Sequence, residues 1–171
     1  MVCGLPGVGK TSLAAHLAPL IDAVVLSSDK IRKELITRPT YSKQEIRLIY
    51  NIILLIAKYL RNAGLNCIID ATFNKEKSRK EVKKKLELPG VRVRIVECIC
   101  PESIIVQRLR ARKKGYSDAD FSIYKMMKKN YEPIREDHIT VDTSQSPLRV
   151  IAKEIANQIS NMRKEGNEDN T

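Results

Sequence analysis

Short apolar runs alternate with longer amphipathic stretches along this chain. The runs at 1–3 (MVC), 23–28 (AVVLSS), 66–72 (NCIIDAT), 91–99 (VRVRIVECI) and 138–143 (HITVDT) are rich in valine and isoleucine and mostly lack polar alternation. Strands buried on both faces have this character. Between and after them, helical periodicity predicts helices at 10–20, 30–37, 42–63, 75–87, 102–113, 118–130 and 147–164. Strands separated by helices imply a parallel α/β sheet with right-handed crossovers. Local signals mark the boundaries. Ser42 to Glu45 (SKQE) has the form of a capping box, and Pro101–Glu102 opens the following helix. Gly64, Gly90 and Gly115 punctuate element ends, and no repeat or interdomain linker interrupts the pattern. One domain over 1–164 is expected, with a polar tail at 165–171 that frays. The first strand has only three residues before Gly4, where a strand usually has about five or six. The expectation is that apolar residues precede Met1, lost to a misassigned start or to trimming.

Composition narrows the class. A chain of 171 residues, 43% hydrophobic and 30% charged, can bury one proper core. The absence of tryptophan argues against aromatic platforms for single strands. The apolar run from Ile52 to Ala57 is too short to span a bilayer, and no basic-then-apolar leader opens the chain. A cytoplasmic protein without a membrane partner is expected. Cys3, Cys67, Cys98 and Cys100 form no C-x-x-C, and His16 and His138 sit near no cysteine pair. They read as buried thiols in a reducing compartment rather than as a zinc site. The net charge of +11 attracts polyanions. Lysines such as those in KEKSRKEVKKKLEL (75–88) can equally solvate a helix face. Charge therefore supports an anionic partner without naming it.

The stretch GLPGVGKTS (4–12) has the form G-x-x-x-x-G-K-[ST], between a strand and a helix. Backbone N–H groups of such a loop surround a phosphate, and the helix dipole adds favourable charge. Gly4, Leu5, Pro6, Gly7, Val8, Gly9, Lys10, Thr11 and Ser12 are the expected nucleotide-binding set. In this motif the lysine reaches the β- and γ-phosphates of ATP and the hydroxyl, here that of Thr11, binds Mg²⁺. A guanine-reading N-K-x-D is missing, since NKEK (74–77) lacks the aspartate, and DATF after the third strand has no switch glycine. A mechanical ring ATPase needs a further helical domain. A small kinase needs a base after the second strand and basic residues on a lid.

Both are present. Asp29, in SSDKIRKEL (27–35), follows the second strand, where open α/β sheets place ligands, and Arg32 lies three residues on. A carboxylate can take the proton of an attacking hydroxyl, and an adjacent arginine can hold an anionic acceptor; Asp29 can also be only a helix N-cap. NCIID (66–70) ends an apolar strand in Asp70, a Walker B pattern suited to Mg²⁺ or to orienting Arg32. QRLRARKKG (107–115) sets Arg108 and Arg112 on one helix face, a lid cation over transferring oxygens, with Gly115 as its hinge.

In order, GLPGVGKTS, SSDKIRKEL, IIDATFNKEKSR, VQRLRAR and SDADFSIYKMMKKNYEPI followed by VDTS resemble the P-loop kinases related to bacteriophage polynucleotide kinase, seryl-tRNA kinase and zeta-type toxins. The likeness runs over about 1–145. It implies a three-layer P-loop NTPase fold, a five-stranded parallel sheet in the order 2-3-1-4-5, and a lid at about 108–130. It implies Lys10, Asp29 and Arg112 as catalytic residues, with Asp29 the base. It further implies Arg32, Asp70 and Asn74 as acceptor-side residues, Thr11 and Asp70 at Mg²⁺, and Arg108 at the nucleotide. The implied reaction is transfer of the γ-phosphoryl group of ATP to a hydroxyl, first of all a polynucleotide 5′-hydroxyl. A small-molecule kinase and a nucleotide-dependent regulatory module are the alternatives.

Overall fold

The structure, a computed structural model, describes residues 1–87, 92–111 and 117–168, with the backbone alone for 163–168. Five parallel strands form one sheet in the order β2-β3-β1-β4-β5: β1 Val2–Cys3, β2 Ala23–Ser27, β3 Asn66–Asp70, β4 Val96–Ile99 and β5 Ile139–Asp142. The helices are α1 Lys10–Leu17, α2 Ser28–Leu35, α3 Lys43–Asn62, α4 Glu76–Leu86, α5 Glu102–Ala111, α6 Phe121–Lys129 and α7 Leu148–Glu168. This is the expected P-loop α/β fold and strand order.

Each inner strand feeds two cores, because successive side chains leave a strand on opposite faces. Val2, Ile68, Val96 and Cys98 pack with Leu13 and Leu17 of α1 and Ile151 and Ile155 of α7. Cys3, Ile69 and Ile95 pack on the other face with Ile49, Ile53 and Ala57 of α3 and Val82 of α4. The spacing of four between Ile49, Ile53 and Ala57 is one turn of an amphipathic helix. The two cores explain why Val2–Cys3 and Ile68–Ile69 are apolar on both faces. Burial pushes the Cys3 thiol up to about 11 and Cys98 up to about 12. All four cysteines are free. Among the described residues, no helix is long and apolar enough to cross a membrane.

Several boundaries differ from the sequence pattern, each for a local reason. The first helix stops at Leu17 and continues as a 3₁₀ turn over Ala18–Leu20, where Pro19 enters the first turn. The second helix begins at Ser28 with Ser27 at its N-cap, so Asp29 sits in the first turn and is not the cap. The fourth strand begins only at Val96, although the Ile95 carbonyl still accepts from Ile139 N at 3.0 Å. The last helix runs on to Glu168, past the end of its apolar pattern.

Candidate active site

The phosphate loop leaves the central strand and enters α1, with β3 on one side and β4 on the other. This is where the strand order reverses, the usual place for a ligand at the carboxyl ends of an open sheet. Gly4 has φ of +135°, and a Cβ there would lie 2.4 Å from the Cys98 carbonyl oxygen. Only glycine lets the chain turn this close to β4. Gly9 caps α1 in the left-handed region, at φ of +93°, and its carbonyl accepts from Leu13 N at 2.9 Å. Pro6, Gly7 and Val8 are buried, while Thr11 and Ser12 are exposed. The Lys10 ammonium donates to the Leu5 carbonyl at 3.0 Å, so the lysine folds back over its own loop. Burial lowers its pKa, and the Asp70 and Asp29 carboxylates oppose that shift.

Thr11 and Asp70 meet directly: the hydroxyl donates to Oδ2 at 2.6 Å. Asp70 is 3% exposed at the end of β3, level with Ser27 of β2 and Val2 of β1. Burial raises its pKa, while Lys10 and the Thr11 hydroxyl pull it back down. A hydroxyl and a carboxylate held together beside a phosphate loop are hard oxygen donors, and they fit Mg²⁺. Asn74 lies four residues past Asp70, and its carbonyl accepts from Glu132 N at 2.9 Å.

The residues expected on the acceptor side form a network larger than the sequence pattern showed. Arg32 Nη1 donates to Asp29 Oδ1 at 3.0 Å, and Arg32 Nε faces Glu45 Oε1 at 2.9 Å. The second contact is an ion pair whose angle falls short of a hydrogen bond. The Arg32 side chain is 5% exposed, whereas that of Asp29 is 36% exposed. The Tyr41 ring covers the guanidinium at 4.7 Å. Tyr41 donates its hydroxyl to Asp118, which also pairs with Lys33. The Ser42–Glu45 spacing predicts a capping box, with Glu45 as its return half. Ser42 does cap α3, accepting from Glu45 N at 3.2 Å. The Glu45 carboxylate turns instead to Thr40 N, Thr40 Oγ1 and Tyr41 N, at 2.6, 2.8 and 3.1 Å. The backbone donor of Thr40 leads in holding it below the usual carboxylate range.

At the other end of the loop, Arg108 donates to Thr143 Oγ1 at 2.8 Å and to the Thr143 carbonyl at 2.9 Å. Thr143 Oγ1 in turn donates to the Val8 carbonyl at 2.6 Å. Arg108 is thus fixed between α5, the phosphate loop and the turn after β5. Arg112 and Gly115 lie outside the described residues. Thr143 and Asp118 lie in stretches that the motif series includes without giving either residue a role, Glu45 is marked only as part of a cap, and Tyr41 lies in no motif. Arg79 is likewise given no role; it is 0% exposed and donates to the carbonyls of Phe73, Glu132 and Pro133 at 2.8, 2.9 and 3.0 Å. It ties the loop that carries Asn74 to the segment after α6. In sequence it is one cation among lysines, and only its place three residues before Val82 on the buried face marks it.

A family model described as an AAA domain matches residues 1–134. Uncharacterized proteins of Mycobacterium tuberculosis and Mycobacterium bovis are each 27% identical to this chain over 135 residues, covering 72% of it. The match takes in 27% of the length of those relatives. Among solved structures, the APS kinase of Mycobacterium tuberculosis in complex with AMPPNP and APS superposes with a TM-score of 0.71 at 18% identity, covering 93% of this chain and 95% of that one. A gluconokinase of Sinorhizobium meliloti gives 0.72 at 17%, covering 99% and 95%. The shikimate kinase of Acinetobacter baumannii, in complex with shikimate, gives 0.63 at 19%, covering 94% and 91%. At these identities the likeness is one of fold.

Proposed function

Since the chain belongs to the AAA domain family, we propose that it is an ATP-dependent kinase that phosphorylates a hydroxyl group. One observation carries the reading: Lys10, the Thr11–Asp70 pair and the part-exposed Asp29 converge at the carboxyl ends of β1, β3 and β2. A hydrolytic switch needs no base after the second strand. Asp29 accepts the proton of the acceptor hydroxyl, whose oxygen attacks the γ-phosphorus as ADP leaves. Lys10 neutralises the β- and γ-phosphate oxygens. Thr11 and Asp70 hold Mg²⁺, which when bound offsets the phosphate charge. Arg108 and Thr143 border the nucleotide, and Arg112 supplies a cation to the moving phosphoryl group.

Two acceptor classes follow from different observations. The motif series and the +11 charge favour a polynucleotide 5′-hydroxyl. The names of the solved neighbours, an APS kinase, a gluconokinase and a shikimate kinase, favour a small molecule. The reaction is tested by transfer of labelled γ-phosphate to a 5′-hydroxyl oligonucleotide and to a panel of hydroxylated metabolites. Asp29→Asn is expected to lower turnover by about 10²–10⁴ while ATP affinity stays within about threefold. Near-wild-type turnover in that variant would remove Asp29 as the base.

A further inference from the structure

We propose that the acceptor bound at Asp29 carries no phosphate beside its reacting hydroxyl, because Glu45 and Asp29 occupy the charge of Arg32. The inference rests on the reading of Asp29 as the base and names the chemical class of its substrate.

The resemblance to polynucleotide kinases implies that Arg32 contacts the acceptor, and in the phage enzyme the acceptor's phosphate. That role needs a guanidinium with open donors. Here the guanidinium has a carboxylate on Nη1, a second facing Nε, and the Tyr41 ring against its plane. Glu45 is not a loose partner. Its other oxygen takes three donors from Thr40 and Tyr41, so it stays ionised and fixed at the start of α3. Tyr41 is pinned at both ends, by its backbone N–H to Glu45 and its hydroxyl to Asp118. A phosphate on the Nη1 or Nε side of Arg32 would have to displace Asp29, which would remove the base, or Glu45, which would strand three donors.

The surrounding charge points the same way. The other cations of α2 are also matched: Lys30 faces Glu34 at 3.8 Å and Lys33 pairs with Asp118. Among the described residues joined in this ion-pair network, the carboxylates of Asp29, Glu45 and Asp118 face the cations of Arg32 and Lys33, one negative charge in excess. The +11 of the chain therefore does not reside in this network. Part of it lies on α4, where six cations outnumber Glu76 and Glu81 by four. Arg32 becomes a positioning residue that holds one oxygen of Asp29, leaving the carboxylate's exposed side to a hydroxyl. An uncharged polyol or nucleoside-type hydroxyl suits this edge, and a nucleic-acid end does not.

The test is binding, so it does not depend on turnover. The protein is loaded with Mg²⁺ and a non-hydrolysable ATP analogue, then titrated with thymidine 3′-phosphate in a calorimeter. This probe carries a 5′-hydroxyl and one phosphate, the least that mimics a nucleic-acid end. Wild-type protein is expected to show no binding below millimolar concentration. Glu45→Gln, checked for folding by circular dichroism, frees Arg32 and is expected to tighten binding by about tenfold or more. The Glu45→Gln, Arg32→Gln double variant returns to the wild-type result. Wild-type binding that Arg32→Gln or Arg38→Ala removes overturns the inference, Arg38 being an exposed cation just past the end of α2. A folded Glu45→Gln protein that gains nothing overturns it too. If Glu45→Gln does not fold, the wild-type titration alone still decides. Failure of the kinase reading shows separately, as absence of Asp29-dependent transfer to any acceptor.

Discussion

The Glu45 carboxylate pairs with Arg32 and accepts from Thr40 and Tyr41, and neither role was legible; only the cap that its backbone N–H makes with Ser42 was. The Ser42 N-cap is a contiguous pattern, so four letters announce it. The pairing with Arg32 crosses thirteen positions and depends on how α2 and α3 meet, which no local pattern records. Its consequence for stability follows from the direction of its titration. The folded state holds Glu45 below its ordinary value of 4.5, chiefly through the Thr40 backbone donor. A depressed carboxylate adds stability that is present above the unfolded value and lost as pH falls through the folded one. Denaturant midpoints taken at neutral pH and near pH 3 should therefore fall further in wild type than in Glu45→Gln. Parallel falls would mean that Glu45 gains nothing from its donors. The phosphate loop was legible for the opposite reason. All of its chemistry lies in nine consecutive residues, and the strand and helix on either side are part of the signal.

At the scale of elements, α4 shows why a charge run misleads. Its stretch EKSRKEVKKKL reads as a solvated face, and for most of its lysines it is one. Arg79 is the exception, because its position shares the buried side with Val82 and Leu86. Its guanidinium binds three backbone carbonyls from two separate loops. Glu132 reinforces the same junction, accepting from Glu76 N at 2.8 Å and from Lys75 at 3.0 Å. Replacing Arg79 by methionine keeps the stem but strands the carbonyls, at a cost of about 2–4 kcal/mol. Lys84→Met on the same helix should change stability by no more than about 0.5 kcal/mol. Equal effects in urea unfolding would show that the buried guanidinium is not what fixes the loop. Strands and helices were legible here because burial on two faces leaves long apolar runs. Their ends were not, since they depend on single residues such as Pro19 and on where a neighbouring strand begins.

At the scale of the molecule, the phosphate loop is where the two halves of the sheet are joined. On one side Thr11 reaches Asp70 of β3, and Gly4 N donates to the Thr72 carbonyl at 3.3 Å. On the other, Thr143 after β5 links the Val8 carbonyl to Arg108 of α5. The first link joins two motif residues and was legible; the second is no motif, because it needs the strand order 2-3-1-4-5 to bring distant residues to one edge. A nucleotide bound here would touch groups anchored in both cores, so its binding energy should appear as global stability. At a ligand concentration one hundred times Kd, linkage gives about 2.7 kcal/mol. For a domain of this size that is roughly 5–10 °C in Tm. A thermal scan with Mg²⁺ and a non-hydrolysable ATP analogue should show one cooperative transition shifted by this amount. Thr143→Val removes the hydroxyl that joins the loop to Arg108 while nearly preserving volume. It should shrink the ligand-induced shift at fixed concentration, and Lys10→Ala should abolish it. A full shift in Lys10→Ala would place the nucleotide elsewhere. A shift untouched in Thr143→Val would mean that the β5 side of the loop holds the fold but not the ligand.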